Sequence, residues 1–150
     1  MANSVRVQIF DAILDEVRAV KESAGYERTV RTAERLIYLV PTIRQYDAVF
    51  LYDLGDSYTT RVSDVVESLL RIELTLWARD SRHPDWAVEA LLADVHKAIC
   101  ADPTHGGLAL DTEVESAETM VSEEFSPEAA ARLIVRVKYR HAYGDPYTKR

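Results

Sequence analysis

The segment Val65-Val66-Glu67-Ser68-Leu69-Leu70-Arg71-Ile72-Glu73-Leu74-Thr75-Leu76-Trp77-Ala78-Arg79 alternates with a period of two along most of its length. Leu70, Ile72, Leu74, Leu76 and Ala78 fall on one side, and Arg71, Glu73, Thr75, Trp77 and Arg79 on the other. Successive side chains of a strand point to opposite faces, so this pattern predicts a long antiparallel strand with one apolar and one wetter face. A sheet needs something apolar to cover its dry face, and the flanking sequence supplies it.

Upstream, residues 4–24 carry Val5, Ile9, Ile13, Val17 and Val20 at helical spacing, with Phe10 and Leu14 widening the stripe. Ser4 suits the N-cap and Gly25 the left-handed position that ends a helix. Residues 26–45 fit either a strand or a short helix, with an apolar run at 36–40 that stops at Pro41. Residues 46–54 alternate as a strand, Gly55-Asp56-Ser57 reads as a turn, and 58–64, without a clear period, reads as a long hairpin loop or ragged strand ends.

Downstream, Pro84 and Asp85 open a second helix whose stripe is Val88, Leu91, Leu92, Val95 and Ile99. It stops at Asp102-Pro103, and Gly106-Gly107 allow a sharp turn into a strand near Leu108. Strands are expected near 108–121 and 130–143, parted by the turn Glu123-Glu124-Phe125-Ser126-Pro127. Leu133, Val135, Val137 and Tyr139 alternate there with Arg132, Arg136, Lys138 and Arg140. The order predicts one α+β domain over residues 1–150, with a mixed or mostly antiparallel sheet of about four strands and the helices packed on it.

The 150 residues are 47% hydrophobic and 29% charged, enough for a core that needs neither disulfide nor metal. Residues 84–127 hold ten acids against Lys97, for −9, whereas 128–150 sum to +4 within an overall −7. An acidic balance opposes sequence-independent binding to nucleic-acid phosphate. Unlike segments could also pair head to tail between copies. No apolar run approaches a membrane span, and the first residues lack the charged-then-apolar pattern of a secretory signal.

Chemistry-bearing patterns are sparse. His83, His96, His105 and His141 form no metal-ligand spacing, and Asp102 with His105 across a Pro/Gly turn makes no site alone. Cys100 sits among acids, which oppose thiolate formation, and reads as a small buried apolar residue. Gly106-Gly107 precedes a strand instead of opening a helix, unlike a phosphate loop. Asp111, Glu113 and Glu115 lie at period two, a pattern more typical of a solvated or interfacial row than of an acid–base pair. Arg136, Lys138, Tyr139, Arg140, His141, Tyr143 and Tyr147 mix base with aromatic, but Tyr139 falls on the inward side. No catalytic, metal or cofactor set emerges, which points away from an enzyme.

Several of these segments together resemble the tail terminator (tail completion) proteins of long-tailed bacteriophages. The likeness rests on the Gly25-Tyr26 step after the first helix, the long strand pair and the helix from Pro84 to Ala101. It rests further on the turn Asp102-Pro103-Thr104-His105-Gly106-Gly107-Leu108-Ala109, the strand Leu133-Ile134-Val135-Arg136-Val137-Lys138-Tyr139 and the closing Asp145-Pro146. Asp102, Pro103, Gly106 and Gly107 are the distinctive part, as a structural turn, and residues 28–64 match least.

The resemblance implies a hexameric ring that caps the tail tube, stops its growth and offers a surface to the head–tail connector. The partners would be further copies, the tube protein and the connector; DNA would pass through the lumen unbound, and the protein would reside in the virion. Arg132, Arg136, Lys138, Arg140, Asp111, Glu113 and Glu115 are then the candidate subunit-interface residues. Another head–tail joining or neck subunit, or a stand-alone protein-binding module, remains open as an alternative.

Overall fold

The computed structural model describes residues 2–38, 42–120 and 124–150. Pro41 and Glu123, at two of the expected chain reversals, and Val121, the expected end of a strand, lie outside them. Helix α1 (Val5–Arg18) begins at Ser4, whose hydroxyl accepts the Val7 N–H at 3.2 Å. It is shorter than the stripe suggested. The chain leaves the helix after Arg18, and the Val20 carbonyl accepts the Val30 N–H at 3.0 Å instead of an intrahelical donor. A short 3-10 helix (Glu22–Ala24) follows, ended by Gly25 at φ +91°.

The ambiguous stretch after it resolves as strand β1 (Thr32–Arg35), which pairs in parallel with β2 (Ala48–Val62). Arg18 fastens α1 to β1 by donating to the Ala33 carbonyl at 2.9 and 3.2 Å. The Arg28 guanidinium grips the buried Asp47 carboxylate at 2.7 and 2.8 Å, and this hydrogen bond raises the arginine's pKa.

Strand β2 is the first correction. Where a short strand, a turn at Gly55 and a loop were expected, one strand runs through to Val62 and turns at Ser63-Asp64 into β3 (Val65–Arg79). Register shifts between Asp53 and Gly55 and between Tyr58 and Thr60 break its alternation, and a bulge is what hides a strand from a period-two reading. Helix α2 (Pro84–Cys100) forms as expected; Asp80 accepts the Arg82 and His83 N–H groups at 2.8 Å just before it. Strands β4 (Asp111–Thr119) and β5 (Glu128–Ala142) complete an antiparallel set, and Asp145-Pro146 opens a further strand, β6 (Asp145–Lys149), instead of merely closing the chain.

The sheet order is β1-β2-β3-β5-β4, with β6 also on β5. The expectation of an α+β fold with about four strands is therefore overturned. The described chain is 44% strand and 24% helix, six strands curled into a half-barrel with only two α-helices. The two strands not anticipated are the four-residue β1 and the five-residue β6, too short to show a period, and the bulges of β2 hid its extension.

Both helices contribute to one core. Ile9, Ile13 and Val17 of α1 and Val88, Leu91, Val95 and Ile99 of α2 share a buried cluster with Leu70, Ile72, Leu74 and Leu76 of β3. Leu133, Val135, Val137 and Tyr139 of β5 belong to the same cluster, which places Tyr139 inside as its alternation predicted.

Candidate functional site

Two features carry the sequence's distinctive residues: the turn after α2 and the sheet face away from the helices. In the turn, Asp102 acts as an acceptor hub. Its Oδ1 takes the Thr104 hydroxyl at 2.7 Å and the Thr104 N–H at 3.0 Å, and its Oδ2 takes the Gly106 N–H at 2.8 Å. These bonds, the Thr104 hydroxyl foremost, hold the carboxyl below its ordinary pKa. His105, Gly106 and Gly107 follow at φ +50°, +75° and +85°, a left-handed run that two glycines make affordable.

That run drives His105 inward. Its side chain is fully buried, with Nδ1 2.8 and 2.9 Å from the two Glu16 oxygens of α1 and Nε2 2.7 Å from the Thr112 Oγ1 of β4. Thr112 in turn donates to the Pro103 carbonyl at 2.9 Å, so both imidazole nitrogens face acceptor oxygens. Leu110 N–H donates to the Lys138 carbonyl of β5 at 2.7 Å. The turn is thus a joint that pins α1, α2, β4 and β5 to one another. Asp102 is the carboxylate nearest His105 in sequence, but the imidazole's carboxylate partner is Glu16, 89 residues away.

The open sheet face holds the candidate interface residues. Asp111, Glu113 and Glu118 of β4 stand directly opposite Lys138, Arg136 and Arg132 of β5. Arg136 meets Glu113 at 3.0 Å, and Arg132 binds Glu118 and lies 3.4 Å from Glu73 of β3. Glu67 of β3 serves Arg140 at 3.2 Å and Lys138 at 4.0 Å, while Glu115 takes Arg71 at 2.8 Å. The β4 part of the acidic segment and the β5 part of the basic one, which looked like separate poles along the chain, interleave on one face as cross-strand pairs. Such pairs are worth about 0.2–1 kcal/mol each and help fix strand register.

Elsewhere, burial first, then Asp111 and Glu16, raises the Cys100 thiol, which is only partly buried. His83 stacks on the exposed Trp86 at 4.0 Å. Among the described residues, no three His, Cys, Asp or Glu side chains are placed to hold one metal ion, and no helix is long and apolar enough to cross a membrane.

Sequence reasoning missed a further polar cluster at the far end of β2, β3 and β5. The Tyr139 hydroxyl donates to Asp56 with Ser68 beside it, and His141 Nε2 is buried without a hydrogen-bond partner among the described residues. Register rows Tyr58–Ser68–Tyr139 assemble it, and the bulges of β2 concealed that alignment. Compared with known protein families and with curated proteins, the chain matches none.

Proposed function

We propose that this chain is a structural assembly subunit of the tail terminator type. It would form a ring, hexameric by the resemblance, that caps a phage tail tube, halts its polymerisation and presents a surface to the head–tail connector. On this reading it acts in the virion at the head-proximal end of the tail, passes DNA through the ring without gripping it and performs no catalysis.

The observation that carries the reading is the use made of Asp102-Pro103-Thr104-His105-Gly106-Gly107. The most distinctive stretch of the sequence is spent on a joint, with His105 turned inward to Glu16 and Thr112 and the exposed Asp102 bonded to Thr104 and the Gly106 N–H. Residues held that way are bonded already and offer no free nucleophile or base to a substrate. A ring subunit, by contrast, needs a rigid frame and ample exterior surface, which the joint and the open sheet face provide.

The test is negative-stain electron microscopy of assembled tail tubes incubated with the purified protein. Particles confined to tube tips, with elongation arrested, support the reading. Tubes that keep growing with bare ends at saturating protein sink it.

A further inference from the structure

The long strands give the molecule two distinct ends. β3 and β5 pair over fifteen residues, a length on the order of 45 Å, so the Arg79/Glu128 end lies far from the Val65/Ala142 end. At the first end is a groove of about 760 Å³. Trp77, Val88, Met120 and Phe125 line it, and among the described residues its lining carries four acids, Asp85, Glu89, Glu124 and Glu128, against one base, Arg82. The indole N–H of Trp77 is buried there without an acceptor among the described residues.

The second end is built oppositely. The β2–β3 and β5–β6 turns are stitched together by the Tyr143 N–H donating to the Asp64 carbonyl at 2.6 Å. From them project Tyr58, Val62, Tyr143 and Tyr147, exposed by 69%, 68%, 56% and 57%. The Arg61 guanidinium lies 3.3 Å from the Tyr143 ring centroid, donates to the Ser63 carbonyl at 3.1 Å and has no carboxylate partner among the described residues, while Asp64 is paired with Arg150, Asp145 accepts from Thr148, and the Lys149 ammonium lies beside the Gly107 turn. One end is a recess with an acidic rim; the other is an apolar, tyrosine-rich surface whose Arg61 has no carboxylate partner among the described residues.

The sheet edges offer copies a poorer route. β1 covers β2 only from Ala48 to Leu51, but the remaining edge of β2 is bulged twice. The β4 edge is bulged between Val114 and Ser116 and carries Asp111, Glu113, Glu115 and Glu118. Bulges and like charges are what natural edges use to block sheet-to-sheet pairing.

We propose that copies of this chain join end to end, the Tyr58/Val62/Tyr143 end of one copy seated in the Trp77/Met120/Phe125 groove of the next. The contact deepens the assembly reading and rests on it. It is heterologous, so its rotation per copy decides whether a ring closes. Apolar rings fill the recess, Arg61 meets Asp85 and Glu89, and a tyrosine hydroxyl or turn carbonyl accepts the Trp77 N–H.

Two single-cysteine variants test it, Val62→Cys and Glu89→Cys, each combined with Cys100→Ser. They are mixed with a short bis-maleimide linker at high protein concentration, both free and on tail tubes. A covalent dimer in the mixture, with neither variant linking to itself, is the expected result, and peptide mass spectrometry would place the link at 62–89. Self-linked variants, or no mixed dimer from protein that caps tubes, overturn the end-to-end contact while the terminator reading stands. A mixed dimer from protein that leaves tubes growing keeps the contact and removes the terminator reading; neither result at all removes both. Thr60→Cys, on the same exposed end, repeats the experiment should Val62→Cys fail to fold.

Discussion

The two faces of β3 are held by different physics. On the helix side, Leu70, Ile72, Leu74 and Leu76 are fully buried against α1, α2 and the inward row of β5. On the open side, Glu67, Arg71 and Glu73 meet carboxylates and guanidiniums drawn from β4 and β5. Burial of a leucine side chain contributes about 1.5–3 kcal/mol, while an exposed ion pair contributes about 0.2–1. The first face supplies stability. The second supplies register and a charged surface open to solvent.

The sharpest way to break that contrast is a pair of matched truncations. Leu74→Ala opens a cavity at the centre of the core and is expected to cost about 2–5 kcal/mol. Arg136→Ala, opposite Arg71 on the other face, should cost no more than about 1. Urea denaturation followed by circular dichroism measures both. Equal losses would mean that the charged face bears as much of the fold as the core does.

The joint after α2 lies between these extremes. Glu16→Ala leaves the buried Nδ1 of His105 without its partner, at an expected cost of about 1–3 kcal/mol. Glu16→Gln keeps an acceptor oxygen and should recover most of the loss, whereas Glu16→Met, which keeps the volume without a comparable acceptor, should not. Asp102 adds a smaller, pH-dependent contribution. Its folded-state pKa is depressed below the ordinary 3.8, so the unfolded chain takes up the proton first as pH falls. The stabilisation is present above that value and is lost as pH drops through the folded pKa. Stability curves of the wild type and Asp102→Asn should therefore differ at neutral pH and converge in acid; a constant offset would show that the carboxylate charge is irrelevant.

How far the sequence displays this architecture follows from the same contrast. Apolar partners announce themselves locally: the stripes of α1 and α2 and the alternation of β3 and β5 are visible because burial selects residue type position by position. Irregular or distant pairings do not. Gly55 and the bulge at Tyr58 throw the β2 pattern out of phase, and β1 is four residues long. His105 could be seen beside Asp102 but not beneath Glu16, because only the fold brings α1 there. The charges misled for a related reason. Summing by segment separates Glu113 from Arg136, though antiparallel pairing sets them face to face.

That last pair also offers the finest test, because its expected effects are smallest and carry signs. Glu113→Arg puts a third guanidinium beside Arg136 and Arg71, which already stand opposite each other in register. Arg136→Glu faces Glu113 unfavourably but gains Arg71 as a neighbour, so it should be the milder of the two. Each single change is expected to cost at most about 1 kcal/mol, and the double swap to return within about 0.5 of the wild type if the pair acts as a unit. Tube capping then separates two uses of the face. If the swapped protein regains stability and still caps, the pairs serve register within the subunit, and the end-to-end contact is left as the joining surface. If it regains stability but no longer caps, a partner reads the order of charges on this face, and the interface includes Glu113 and Arg136 themselves.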